Sequence, residues 1–217
     1  VAKLLAVLHT LPTVIAPEPG KPEVADEEHP IRKVTRQIAF EPSGWSAERR
    51  SKVAELFDGL APTWHERVAA TEHDAVLDAL DRGGPFPDGP CLEVGSGTGA
   101  FTAELASCFE PVISLDLSGE MLRRASGLRV LADSAELPVP TGAAGTVVLV
   151  NMFLFPGEVD RVLRPGGALL WVSVLGDRTP IYLSAEDVQT ALPGDWSGTA
   201  AQAGWGSWAV FRRPADS

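Results

Sequence analysis

The sequence predicts an α/β fold: a doubly wound, mostly parallel sheet of seven strands with an antiparallel edge strand, behind an N-terminal helical extension. Three observations carry this. Cys91, Leu92 and Val94 form a short apolar run that stops at Gly95, Gly97 and Gly99, and an amphipathic stretch from Phe101 to Phe109 follows. That is strand, tight turn, helix, with glycine where a missing Cβ lets a ligand lie on the backbone. Helical and strongly apolar stretches then alternate to about residue 192, the pattern of a parallel sheet covered on both faces. Finally, 196–201 and 207–212 flank Ala203-Gly204-Trp205-Gly206 and read as a terminal hairpin.

The elements are justified in order. Residues 1–16 carry a charge and then an apolar run, as an export signal would, but His9 and Pro12 interrupt it and Pro17 disfavours cleavage. The run is too short to span a membrane. Residues 17–30 are rich in Pro, Glu and Asp, so 1–30 is expected to be a flexible tail and linker. Residues 31–40 fit strand or helix equally. Ser46 is placed to cap a helix carrying Val53, Leu56, Phe57 and Leu60 on one face, ended by Pro62. A second helix is expected from Thr63 to about Arg82, closed by Gly83-Gly84. Strands are expected at 91–94, 112–115, 128–131, 146–150 and 168–174, with helices starting near Ser118, Glu158 and Ser184. The organisation expected is a tail at 1–30, a helical cap at 31–84 and the sheet domain at 85–217. The spare length and the aromatic cluster Trp45, Phe57 and Trp64 all precede the sheet, so the cap is expected to fold over the strand ends.

The 217 residues are 45% hydrophobic with a formal net charge of −11. Such a chain repels phosphate backbones and acidic lipid, so neither nucleic acid nor membrane is an expected partner. Cys91 and Cys108 form no paired-cysteine or Cys/His motif. No metal site is expected, and the cysteine usage fits a reducing cytoplasm.

Ligands of open α/β sheets sit at the carboxyl ends of the strands. Here those ends carry Gly95, Asp116, Asp133 and Asn151. Asp116 can accept hydrogen bonds from the two hydroxyls of a ribose, or it can stabilise a helix start. Asp133 can accept from an exocyclic adenine amine, or it can shape a turn. Leu117 and Met121 offer apolar contact to a flat base, or simply core packing. Gly95-x-Gly97-x-x-Ala100 also satisfies the dinucleotide pattern, which makes an NAD(P)-dependent oxidoreductase the alternative. Against it, the motif lies far into the chain, and no lysine follows Tyr182 to form a Tyr-x-x-x-Lys pair. A phosphate-binding Gly-Lys-Ser/Thr triplet is also absent.

Five segments, in order, resemble the class I S-adenosylmethionine-dependent methyltransferases, and within them the group that includes the ubiquinone/menaquinone-biosynthesis enzymes. They are Leu92-Glu93-Val94-Gly95-Ser96-Gly97-Thr98-Gly99, Ser114 to Leu122, Ala132 to Pro140, Glu158 to Gly167, and Leu56 to Pro62. The resemblance implies a Rossmann-like fold, S-adenosylmethionine as cofactor and a small-molecule substrate. It implies Glu93, Gly95, Ser96, Gly97 and Thr98 around the methionine moiety and Asp116 at the ribose. Asp133 and Ser134 would be at adenine, and Asn151 near the methyl-bearing sulfur. Departures fall on the acceptor side: Gly145-Thr146 stands where the family has an aspartate, and Trp64-His65 where it has Tyr-Asp. His65, in the expected cap, is the candidate general base, or else a surface histidine. A cofactor-binding protein without turnover is the non-enzymatic alternative. Oligomeric state and acceptor are not readable.

Overall fold

In the computed structural model the described residues are 7–20, 30–66 and 73–215. The first element is a strand, β1 (Leu8–Thr10). Helices α1 (Pro30–Phe40) and α2 (Ala47–Leu60) follow, then a 3-10 turn over Ala61–Glu66 and α3 (Asp74–Arg82). The alternating part comprises β2 (Cys91–Val94), α4 (Thr102–Ala106), β3 (Val112–Asp116), α5 (Gly119–Leu122) and β4 (Leu128–Leu131). It continues with β5 (Ala144–Val150), α6 (Pro156–Val162), β6 (Leu163–Ser173) and α7 (Ala185–Ala191). The hairpin β7 (Ser197–Ala203) and β8 (Gly206–Arg212) ends the chain. Ser46, Ser118 and Ser184 cap α2, α5 and α7, each hydroxyl accepting the N–H three residues on.

One sheet holds all the strands, in the order β1-β7-β8-β6-β5-β2-β3-β4. Every pairing is parallel except those made by β8. The sheet has eight strands, not seven. The added strand, β1, lies parallel to β7 and comes from the stretch expected to be a tail. Leu8 packs on one core, Leu11 and Ile15 on the other, and Pro12 O accepts from Arg82. Of the remaining tail residues, 1–6 and 21–29 lie outside the described set.

Alternation sorts the strand side chains onto two buried faces. Val147, Leu149, Leu169 and Trp171 meet α6 and α7 on one face. Val148, Leu170 and Val172 meet α3 and α4 on the other. Thus α3, expected as part of the cap, packs on the sheet. Its buried Asp78 accepts from Trp208 Nε1 at 2.6 Å on β8 and from Arg82 Nε at 2.7 Å. α1, α2 and the 3-10 turn make up the remaining cap, and of the helix expected from Thr63 to about Arg82, residues 63–66 lie in the 3-10 turn and 74–82 form α3. Residues 67–72, within that expected helix, lie outside the described set.

Chain order in the sheet reverses between β2 and β5, and a crevice opens there at the carboxyl ends. α2 contributes no fully buried residue, and Val53, Leu56, Phe57 and Leu60 line this crevice.

Candidate active site

The site is built first from the turn after β2. Gly95 and Gly97 have φ of +74° and +57°, where a side chain is strained. Gly95 N and Ser96 N donate to Leu115 O at 2.7 and 3.1 Å, which folds the turn across the end of β3. Asp116, at that end, accepts from Gly97 N through Oδ2 and from Ser118 N through Oδ1, both at 2.8 Å. One carboxylate thus holds the glycine turn and the start of α5 together.

Glu93 is 3% exposed. Its Oε2 accepts from Thr102 Oγ1 at 2.6 Å and Ser114 Oγ at 2.9 Å. Burial pushes the Glu93 carboxyl above its usual range, and the two hydroxyl bonds only partly offset this. Asp116 is raised for the same first reason, opposed by the N–H groups of Ser118, Gly97 and Leu117. Both acids therefore gain from a cation beside them. Ser96 Oγ is buried with no hydrogen-bond partner.

Asn151 follows β5 with φ of +50°, the sole non-glycine positive φ among the described residues. Its Oδ1 accepts from Val174 N at 3.0 Å, pinning the end of β5 to the segment after β6. The cavity these elements enclose measures about 430 Å³, within the range of small-molecule sites. Among the residues expected at the cofactor, Glu93, Gly95, Ser96, Gly97, Asp116 and Leu117 line it. So do Met121, Ser134 and Asn151.

Three expected residues stand apart from that lining. Thr98 lies in the turn, half-buried. Asp133 faces the cap instead: its oxygens accept from Trp45 Nε1 at 3.0 and 3.1 Å and from Ala135 N at 2.9 Å, with Arg50 Nη1 at 3.5 Å. His65 is exposed and off the cavity lining, which contains no histidine, lysine or arginine among the described residues.

The sequence reading missed Asp58, whose carboxylate accepts from Ser118 Oγ and from Glu120 N at 3.1 Å, docking α2 on α5. It also missed Ile181, which lines the cavity beyond the strand ends; Met152, Phe153 and Phe155, in the run after β5 expected on the acceptor side, line it too. An apolar run after a strand carries no signal separating cavity wall from core.

Comparison with solved structures agrees with this architecture. A Haloferax volcanii methyltransferase, in complex with the Trm112 methyltransferase activator, superposes with a TM-score of 0.58 at 15% identity, over 73% of this chain and 97% of that one. An S-adenosylmethionine-dependent methyltransferase of Thermotoga maritima gives 0.56 at 16% identity, over 73% and 99%. The fold is the Rossmann-like one that these methyltransferases share. More particularly, residues 92–171 match the family described as a methyltransferase domain. S-adenosylmethionine is the cofactor that this similarity implies. Two relatives are the 23S rRNA (guanine(748)-N(1))-methyltransferase of Streptomyces fradiae and the malonyl-[acyl-carrier protein] O-methyltransferase of Serratia marcescens. The first is 36% identical over 57% of this chain and 44% of its own length. The second is 29% identical over 56% and 52%. The chain thus spans about half the length of these curated relatives.

The residues present fit the cofactor. S-adenosylmethionine brings a sulfonium and an ammonium to a pocket with two buried carboxylates. It brings polar atoms to a partnerless Ser96 hydroxyl, and the positive-φ turn lets it approach the backbone. When bound, it supplies the electrophilic methyl group.

Proposed function

We propose that this chain transfers the methyl group of S-adenosylmethionine to a small-molecule acceptor held under the cap. The observation that carries this reading is the division of the cavity. Its polar groups, Glu93, Ser96, Asp116 and Ser134, cluster around the ends of β2, β3 and β4. The wall made by the cap and by the segments after β5 and β6 is apolar apart from Asn151 and Thr179, whose side chains accept from Val174 N and Leu175 N. The chain's own residues hold the cofactor on the first side, exclude water with the second, and set the acceptor in line with the methyl group. Positioning of that kind contributes ~7–11 kcal/mol to a barrier.

Within this proposal Glu93 serves the methionine end, Asp116 the ribose and Asn151 the region of the sulfur. His65 is not needed as a base. The Streptomyces relative acts on ribosomal RNA. A net charge of −11 and a cavity without basic lining among the described residues favour a small molecule over RNA here. Calorimetry with S-adenosylmethionine, then turnover on a metabolite panel scored by S-adenosylhomocysteine release, tests the reading. Cofactor binding with methylation of rRNA fragments and of no small molecule would refute the acceptor class.

A further inference from the structure

We infer that the acceptor is an uncharged, ring-bearing molecule that attacks through a nitrogen lone pair already free at neutral pH. This rests on the methyl-transfer reading and concerns the wall opposite the glycine turn. Ile31 on α1, Phe57 on α2, Met152 and Phe153 after β5, and Leu175 and Ile181 after β6 form that wall. All but Leu175 belong to one apolar cluster, in which Phe153 and Ile181 are buried. A charged acceptor placed against it loses its hydration and gains no partner. An anion is repelled as well by Glu93 and Asp116. No arginine is among the described lining residues. Arg32 donates to the carbonyls of Asp177 and Thr179, and Arg50 lies against Asp133.

The proton balance points the same way. A hydroxyl or neutral thiol must lose a proton to give a stable product, yet no histidine or lysine lines the cavity among the described residues. Both oxygens of Asp116 already accept backbone N–H groups, and Glu93 already accepts two hydroxyls. A neutral nitrogen needs no such base. Its lone pair forms the N–C bond as the S–C bond breaks, the S–C electron pair stays on sulfur, and the positive charge passes from sulfur to nitrogen. The charge in the pocket is unchanged, so the same two carboxylates balance it before and after. A proton still on nitrogen leaves to solvent with the product.

The rings around the site suit that charge. Trp45 lies 5.3 Å from Phe155 edge-on and 6.1 Å from Phe153, and Phe57 lies 5.8 Å from Trp64. Aromatic faces favour a flat ligand and a developing cation.

The test uses the full chain saturated with S-adenosylhomocysteine and three probes: 4-phenylimidazole, 4-(imidazol-4-yl)benzoate and 4-phenylphenol. Binding is read by quenching of tryptophan fluorescence. Turnover is read with S-adenosylmethionine in place of the product. The imidazole is expected to bind at least about tenfold more tightly than its benzoate, a gap of about 1.4 kcal/mol. It should be N-methylated with a pH profile that follows its own nitrogen, and the phenol should not be methylated. Leu56→Lys, on a half-exposed lining position, should erase the preference for the uncharged probe. Equal or tighter benzoate binding, methylation of the phenol at a comparable rate, no quenching by any probe, or an unaltered preference in Leu56→Lys overturns the inference. Failure of S-adenosylhomocysteine itself to bind, seen first by calorimetry, instead defeats the methyl-transfer reading.

Discussion

At the scale of single residues, Asp116 does two things at once, and a substitution should reveal both. It bonds the glycine turn and the start of α5, and it lines the cavity. Asp116→Ala is expected to weaken S-adenosylmethionine binding by about 1.5–3 kcal/mol and to lower folding stability by about 1–3 kcal/mol. Titration calorimetry and urea unfolding read the two losses separately, and unchanged affinity would remove Asp116 from the site. The pH dependence has a definite sign. Burial raises Glu93 and Asp116 above ordinary carboxylates, so folding takes up protons and the cofactor-free fold loses stability as pH rises through that interval. A cation favours the ionised acids, so cofactor binding should release protons. Affinity should then rise with pH across the interval and level off above it. Calorimetry in buffers of different ionisation heat measures that release, and proton uptake on binding would contradict the assignment. The glycine turn and Asp116 were legible in the sequence because their spacing is local. The bonds of Asp133 to Trp45 and of Asp58 to Ser118 were not, because they join residues 88 and 60 positions apart, and no periodicity records a tertiary pair.

At the scale of elements, two of the bonds that fasten the cap can each be cut. Asp58 fixes α2 to α5, and Trp45 fixes the link between α1 and α2 to Asp133. Trp45→Phe keeps the ring contacts and removes one charge-assisted bond, roughly 1.5–3 kcal/mol of local interaction. The expected result is several-fold faster release of S-adenosylhomocysteine in stopped flow, with the sheet intact by circular dichroism. Unchanged release would leave the Asp133 carboxylate for another partner, of which the adenine amine is the first candidate. The helices and strands from Ser46 onward were mostly legible because capping serines, glycines and apolar period mark them. β1 was not, since Leu8-His9-Thr10 at a sheet edge is too short to show an alternating pattern. Its role is testable. Deleting residues 1–16 removes the pairing with β7, the bond from Leu11 N to Ala200 O, and the packing of Leu8, Leu11 and Ile15. We expect a loss of about 2–4 kcal/mol and concentration-dependent association through the bared edge of β7. A deletion with wild-type melting and a monomeric profile in light scattering would show that β1 is dispensable.

At the scale of the whole molecule, two parts of unequal firmness meet at the cavity. The sheet is buried on both faces, with Leu170, Val172, Leu169 and Val147 fully enclosed. The cap shares only a small cluster with the segments after β5 and β6, and α2, which has no fully buried residue, turns its apolar side chains toward that cluster and the cavity. Opening free energy follows buried contact, so the cap should open sub-globally while the sheet remains folded. A ligand filling the cavity takes the place of the missing core beneath α2. Its effect on stability should therefore be largest in the cap, although its polar anchors lie on β2 and β3. Hydrogen exchange followed by mass spectrometry distinguishes the two parts. Amides of residues 47–60 are expected to exchange orders of magnitude faster than those of β5 and β6 without ligand. S-adenosylhomocysteine at one hundred times its dissociation constant should slow exchange wherever opening expels the ligand, by up to about 2.7 kcal/mol. Asp58→Ala should reduce that protection in α2 and leave β5 and β6 unaffected. Equal exchange in cap and sheet, or ligand protection confined to the glycine turn, would show that α2 is a fixed wall and that acceptor entry needs no movement of the cap.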